Sequence, residues 1–216
     1  MKRDRSLVVF PILSTIFNVA LASCAARSLR GEDTKVGEGI SAAMHRIGPI
    51  LGWTLVATTV GLILKALEER LPPALRGIVS ALAGAAWAIA TFFVVPVLAL
   101  EGSGPVQSLK RSATVVKARW GEGATGAATI SVATFVVTVL IAAVGGVAGT
   151  ALLGATGQQL LAGAVWALTV AGVIVVAMIA AALGQIFRVA LYQYAVTGEV
   201  PSGFDHQVLQ DGFVQR

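Results

Sequence analysis

The chain has 216 residues, 56% of them hydrophobic and 12% charged, where a soluble domain carries about 25% charged and about 45–50% apolar residues. That excludes an ordinary water-soluble fold, because the mean hydropathy of +0.82 arises from long uninterrupted apolar runs, which a bilayer selects for. The net charge of +5 does not indicate nucleic acid, since Lys and Arg sit in short segments between those runs and form no single basic surface.

The first candidate span, Leu7 to Ala26, is long enough to cross, but Pro11, Ser14, Thr15 and Asn18 fall in its first two-thirds. It reads either as a span or as a hairpin bent between Pro11 and Asn18. Four further segments read as spans: Pro49 to Leu67, Gly77 to Leu100, Ala127 to Leu153, and Leu160 to about Phe187. Each covers a hydrocarbon layer of roughly 30 Å at about 1.5 Å per residue. Gly48-Pro49 and Gly104-Pro105 mark helix starts, Pro72-Pro73 a tight connection, and Pro96 a kink inside the third of the five segments.

Two amphipathic stretches precede spans. In Val106 to Trp120 the apolar residues Val106, Leu109, Ala113, Val116 and Trp120 recur three or four apart, with Gln107, Lys110, Arg111, Thr114 and Lys117 elsewhere on the wheel. The shorter Ile40 to Ile47 carries Ile40, Met44 and Ile47 against His45-Arg46. Both patterns fit helices lying in the membrane interface. Both follow glycine-rich leads, Gly37-Glu38-Gly39 and Gly102-Ser103-Gly104, which hints at a weak internal duplication. The fold class expected is therefore all-α: a polytopic transmembrane helix bundle over residues 1–216 as a single domain.

Basic residues near span ends favour the cytoplasm. The loop from Arg27 to Ile47 holds four Lys or Arg, the loop after Leu100 four more, and the turn around Ala155 to Gln159 none. With five spans, placing those two loops and the C-terminus inside gives ten basic residues inside against six outside. That orientation puts the basic start, Lys2, Arg3 and Arg5, on the outer side, which is unfavourable. A hairpin or a missing helix in the first segment would relieve this, giving thirteen against three. A third reading takes Leu21-Ala22-Ser23-Cys24 as a lipoprotein signal motif, with cleavage before Cys24. It would turn the bundle against its charge.

Phe93-Val94-Val95-Pro96-Val97-Leu98-Ala99-Leu100-Glu101-Gly102, then Ser108-Leu109-Lys110-Arg111-Ser112 and Arg119-Trp120-Gly121-Glu122, resemble an uncharacterised prokaryotic family of multi-pass integral membrane proteins, a domain of unknown function. Arg3-Asp4-Arg5-Ser6-Leu7 before Phe10-Pro11, Gly31-Glu32-Asp33, Ala190-Leu191-Tyr192 and Thr197-Gly198-Glu199-Val200-Pro201 agree with it, so the likeness covers most of the chain. More distantly, the pattern is similar to the membrane domain attached to some glycerophosphodiester phosphodiesterases. The resemblance implies two N-terminal helices where this chain has room for one, and it implies no activity.

Ionisable groups inside a membrane mark proton or substrate paths, and this chain has almost none. Glu101, Lys65 and Arg188 fall at span ends, where snorkelling explains them. A polar contact between Glu101 and Arg188 is conceivable, as both belong at the inner face. Lys110, Arg111, Lys117 and Arg119 are candidates for anionic lipid headgroups, or they serve only to set topology. Gly145 and Gly149 form a small-residue face, as do Ala177, Ala180, Ala181 and Gly184; such faces serve packing within the chain or a homo-oligomer or membrane partner.

No Ser, His and acid set suits nucleophilic catalysis. With His45, His206 and Cys24 as the only His and Cys, no metal cluster or internal disulfide is expected. Gly121-Glu122-Gly123-Ala124-Thr125-Gly126 has the spacing of a dinucleotide fingerprint but follows no strand, so no cofactor is expected. The sequence thus reads as a non-enzymatic structural, partner-binding or lipid-organising component of the cell membrane, C-terminus cytoplasmic; the alternative is a small permease or transporter subunit.

Overall fold

The computed structural model describes residues 3–118 and 122–198, with side chains described for 9–118 and 131–198. These residues are all-α, and five stretches are long and apolar enough to cross a membrane: Val9–Ser28, Ile47–Arg70, Pro73–Leu100, Ser131–Thr156 and Gln159–Thr197. The described chain divides into two compact units, one running up to Gly123 and resuming at Arg188, the other Ala124–Phe187.

In the first unit α1 spans Arg3–Ser28 as one continuous helix. The expected hairpin between Pro11 and Asn18 is therefore corrected. Polar residues that suggested a bend spend their hydrogen bonds on their own coil: Thr15 Oγ1 donates to the Pro11 carbonyl at 2.8 Å and Asn18 Nδ2 to the Ser14 carbonyl at 2.8 Å. A polar group satisfied by the turn behind it needs no water, so the helix tolerates it in lipid.

Helix α2 is Val36–His45 and α3 is Ile47–Arg70, which starts one residue after Arg46 and carries Pro49 in its first turn. The third expected span is interrupted. It forms α4, Pro73–Ala90, and α5, Val94–Leu100, joined by a turn at Thr91–Phe93. Pro96 explains where the break falls, since its ring clashes with the carbonyl four residues back, that of Phe92, and it offers no N–H. The Phe93 N–H that the turn frees donates to Ser112 Oγ at 3.0 Å. Proline thus breaks the helix outright, where the sequence suggested only a kink.

Helix α6, Pro105–Ala118, completes the polar connection. The core of this unit is small and lies towards the ends of its helices: Val19, Ala22 and Ala26 of α1, Ile50 of α3, and Val94, Val97 and Leu98 of α5 are sealed from solvent. Beyond Trp53, which stacks on Trp87 with ring centroids 6.0 Å apart, α3 and α4 expose Leu55, Leu62, Ile63, Ile78 and Leu82. Apolar side chains facing outwards suit hydrocarbon as the solvent.

The second unit is a hairpin made of α7, Glu122–Thr156, from Ala124 on and of α8, Gln159–Thr197, up to Phe187, turned through Gly157 at φ +64°. Residues 122–126 of the apparent dinucleotide fingerprint belong to α7 and form no phosphate loop; Gly121 lies outside the described residues. A Cβ on Gly145 would collide with Thr169, and one on Gly149 with Trp166. This small-residue face is therefore used between α7 and α8 of the same chain. Gly184, by contrast, has open space beside it. Helix α8 has 39 residues, about 58 Å of helix, and its last turns from Arg188 belong to the first unit.

Candidate functional site

The segments that charge counting assigns to one side of the membrane are bound to one another in the first unit. Arg46, between α2 and α3, donates from Nη1 to the carbonyl of Ala99 and from Nη2 to that of Leu100 at 3.5 Å. These are carbonyls at the C-terminal end of α5, where no intrahelical N–H is left for them. The chain then leaves α5 through Gly102 in the left-handed conformation, φ +62°, close beneath the Arg46 guanidinium. An arginine 53 residues away thus acts as the C-terminal cap of the short helix that Pro96 creates.

Glu101 follows at once. Its Oε1 accepts from Arg111 Nε of α6 at 3.1 Å and from the hydroxyl of Tyr192 of α8. Tyr192 is buried, with its ring 5.8 Å from that of Phe93. Gln193 donates to the Ala26 carbonyl of α1 at 3.3 Å. The ends of α1, α5 and α8 and the start of α3 therefore meet in one polar cap.

At its edge, Arg27 donates to Glu32 at 2.9 Å and to Glu38 at 2.7 Å, while Arg30 holds Glu32 at 2.9 Å. Arg30 first and Arg27 second hold the Glu32 carboxyl below its usual value. These pairs are open to solvent, so each contributes little stability. Their effect is to fix the Gly31 turn against the first turns of α2.

Helices α2 and α6 attach to this cap in the same unusual way. α2 turns Gly39 and Ala43 inward and leaves Val36, Ile40 and Met44 exposed. A Cβ on Gly39 would strike Cys24 Sγ and come within 2.8 Å of the Ala20 carbonyl oxygen, so only glycine permits this approach to α1. α6 buries Ser108, Ser112 and Val115. Ser108 Oγ pairs with Ser103 Oγ at 2.8 Å, and Ser112 accepts the orphaned Phe93 N–H. Of the apolar residues that the sequence pattern picks out, Val106, at 56% exposure, and Ala113 point away from the protein, Leu109 and Val116 are half-exposed, and Trp120 lies outside the described residues.

Of the four headgroup candidates, Lys110 and Lys117 are exposed on α6, Arg111 is engaged by Glu101, and Arg119 lies outside the described residues. Glu101 and Arg188 both reach the cap with different partners: Arg188 sits over the Phe92 ring, 5.3 Å from its centroid. Cys24, the residue of the apparent lipoprotein motif, lies on α1 against Gly39 of α2. Sequence reading did not identify Arg46, Tyr192, Ser112 or Gly39. One signal was legible for Ser112: Pro96 must orphan backbone groups one turn earlier, and something near must satisfy them.

Among the described residues no group of three or more His, Cys, Asp or Glu could hold a metal ion. The side chains of the cap grip one another and free carbonyls, and the arrangement is that of a clamp. Comparison with curated proteins and with solved structures finds no match. A family model matches residues 7–204, and the protein belongs to that family of unknown function, DUF6159.

Proposed function

We propose that this protein is a non-enzymatic, multi-pass component of a prokaryotic cytoplasmic membrane that organises lipid or a partner at the inner surface, using α2 and α6 as interfacial blades held by the polar cap. The carrying observation is the inverted attachment of these helices. α2 packs Gly39 and Ala43 on the protein and offers Val36, Ile40 and Met44 outward, while α6 packs Ser108, Ser112 and Val115, offers Val106 outward and adds Lys110 and Lys117 on its exposed arc. That combination suits the boundary between acyl chains and anionic headgroups.

The test uses the full chain in nanodiscs of phosphatidylcholine alone or with phosphatidylglycerol. Hydrogen exchange of α6 should slow in the anionic discs. Two lysines at about 1 kcal/mol each correspond to roughly thirtyfold protection, which Lys110→Gln with Lys117→Gln should remove. Equal exchange in both discs would dismiss the headgroup role.

The orientation proposed has the cap, and hence the C-terminus, cytoplasmic. Its support is that the loops richest in Lys and Arg converge in the cap, while the turn at Gly157 has none. Continuous α1 then leads the N-terminus to the other face. In a Cys24→Ala background, Ser41→Cys should react with an impermeant maleimide only from the cytoplasm, and Gln158→Cys and Ser6→Cys only from outside. Labelling of Ser6→Cys from the cytoplasm would contradict the five-crossing topology.

The permease alternative gains less support. The buried side chains beside the break in the third span, Val94, Val97 and Leu98, are apolar, which favours packing over a polar path. The distant likeness to the membrane domain of some glycerophosphodiester phosphodiesterases receives no support from the comparisons, and nothing is built on it.

A further inference from the structure

Away from the cap, near the turn that joins them, α3 and α4 flank a cleft of about 400 Å³. Its floor is made of small residues, Gly61 on α3 and Ser80 and Gly84 on α4, and its mouth carries Lys65 and Glu68. Three observations give it the character of a ligand site. A Cβ on Gly61 or Gly84 would meet nothing within 4 Å, so the space beside both is open. Ser80 Oγ is shielded from solvent, yet it has no hydrogen-bond partner among the described residues. An unpartnered hydroxyl in an apolar wall is costly unless something outside the chain satisfies it. Finally, the side chains of Lys65 and Glu68 form no ion pair with another described residue, although one turn apart.

Height places the mouth at the far boundary of the bilayer. Ile47 starts α3 beside the cap, and eighteen residues of helix carry Lys65 roughly 27 Å from it, close to the thickness of the hydrocarbon layer. The lower cleft is thus in hydrocarbon and its charged mouth among headgroups. Arg76 of α4, also at this end, is engaged by the carbonyls of Glu68 at 3.2 Å and Leu71 at 3.4 Å, so Lys65 and Glu68 are the cation and anion that line the cleft, and their pairing narrows the ligand. Lys65 suits a phosphate and Glu68 a primary ammonium. A net-anionic headgroup would leave Glu68 repelling it.

We infer that the α3–α4 cleft binds a glycerophospholipid with a primary-amine headgroup, phosphate at Lys65, ammonium at Glu68, and an acyl chain laid over Gly61 and Gly84. The inference rests on the membrane reading of the chain but not on α6, at the opposite end of α3.

The test is native mass spectrometry of the full chain in mild detergent, equilibrated with equimolar phosphatidylethanolamine, phosphatidylcholine and phosphatidylglycerol. One phosphatidylethanolamine should be retained in preference to the other two. Gly84→Leu should abolish retention by filling the floor. Lys65→Gln and Glu68→Gln, surface changes that leave the packing alone, should each weaken it about tenfold, the scale of one charge-assisted hydrogen bond. Lys110→Gln with Lys117→Gln should leave the adduct intact; its loss there would move the lipid to the cap and overturn the assignment. Equal retention of all three lipids, or unchanged retention when both Lys65 and Glu68 are replaced, would also overturn it. If Gly84→Leu does not fold, the two surface variants decide alone.

Discussion

Replacing Gly39 with leucine is expected to destabilise the protein more than any other single change in the polar cap. The new side chain would meet the Cys24 sulfur and, at 2.8 Å, the backbone oxygen of Ala20. A flexible side chain could move aside, but a carbonyl locked in the middle of α1 cannot, so α2 must lift off its seat. Overpacking of this kind costs about 1–3 kcal/mol, and in a chain of this size each kcal/mol lowers the melting temperature by about 2–4 °C. A fall of about 5 °C or more in a detergent melt is therefore expected. Gly37→Leu supplies the control, because a Cβ there meets nothing within 4 Å. Equal melting temperatures for the two variants would refute the close α1–α2 seam.

Arg46→Ala is the second large effect. It removes the donor that serves the free carbonyls of Ala99 and Leu100, leaving the end of α5 unsatisfied in a partly buried place. Hydrogen bonds from charged donors contribute about 1.5–3 kcal/mol each, and the loss should appear as a lower melting temperature together with faster hydrogen exchange along Val94–Leu100. Arg46→Lys should recover only part of it, since an ammonium cannot span two carbonyls as a planar guanidinium fork does. Full stability in Arg46→Ala would mean that α5 needs no cap from outside its own segment.

Much of the fold was legible before any coordinates. α4 and α6 start at the expected prolines, Pro73 and Pro105, and α3 starts two residues before Pro49, because proline suits a first turn. The amphipathic pattern located α2 and α6 within a few residues. The first segment was misread as a possible hairpin for a definite reason. Asn18 and Thr15 count as polar in a hydropathy tally, yet each donates back to its own helix and presents little unmet polarity to lipid.

The cap was not legible in the sequence. Its bonds join residues 53, 91 and 167 positions apart, and nothing in Arg46, Tyr192 or Gln193 announces such partners. The side of α2 and α6 that packs on the protein was hidden for a deeper reason. In water, the apolar stripe of a helix marks its buried face. In a bilayer, lipid is as apolar as leucine, so protein contacts fall to the residues that allow closest approach or share a hydrogen bond: Gly39 and Ala43 on α2, Ser108 and Ser112 on α6.

The sequence by itself therefore determined that the chain is a set of helices long and apolar enough to cross a membrane, roughly where they begin, and which loops carry the positive charge. Those properties are local, since each helix satisfies its own backbone and each run of side chains chooses its own solvent. Only the tertiary structure decided how Pro96 divides the third span, which arginine caps the fragment and which faces meet. Those outcomes depend on distances between residues remote in the chain, and periodicity carries no information about them.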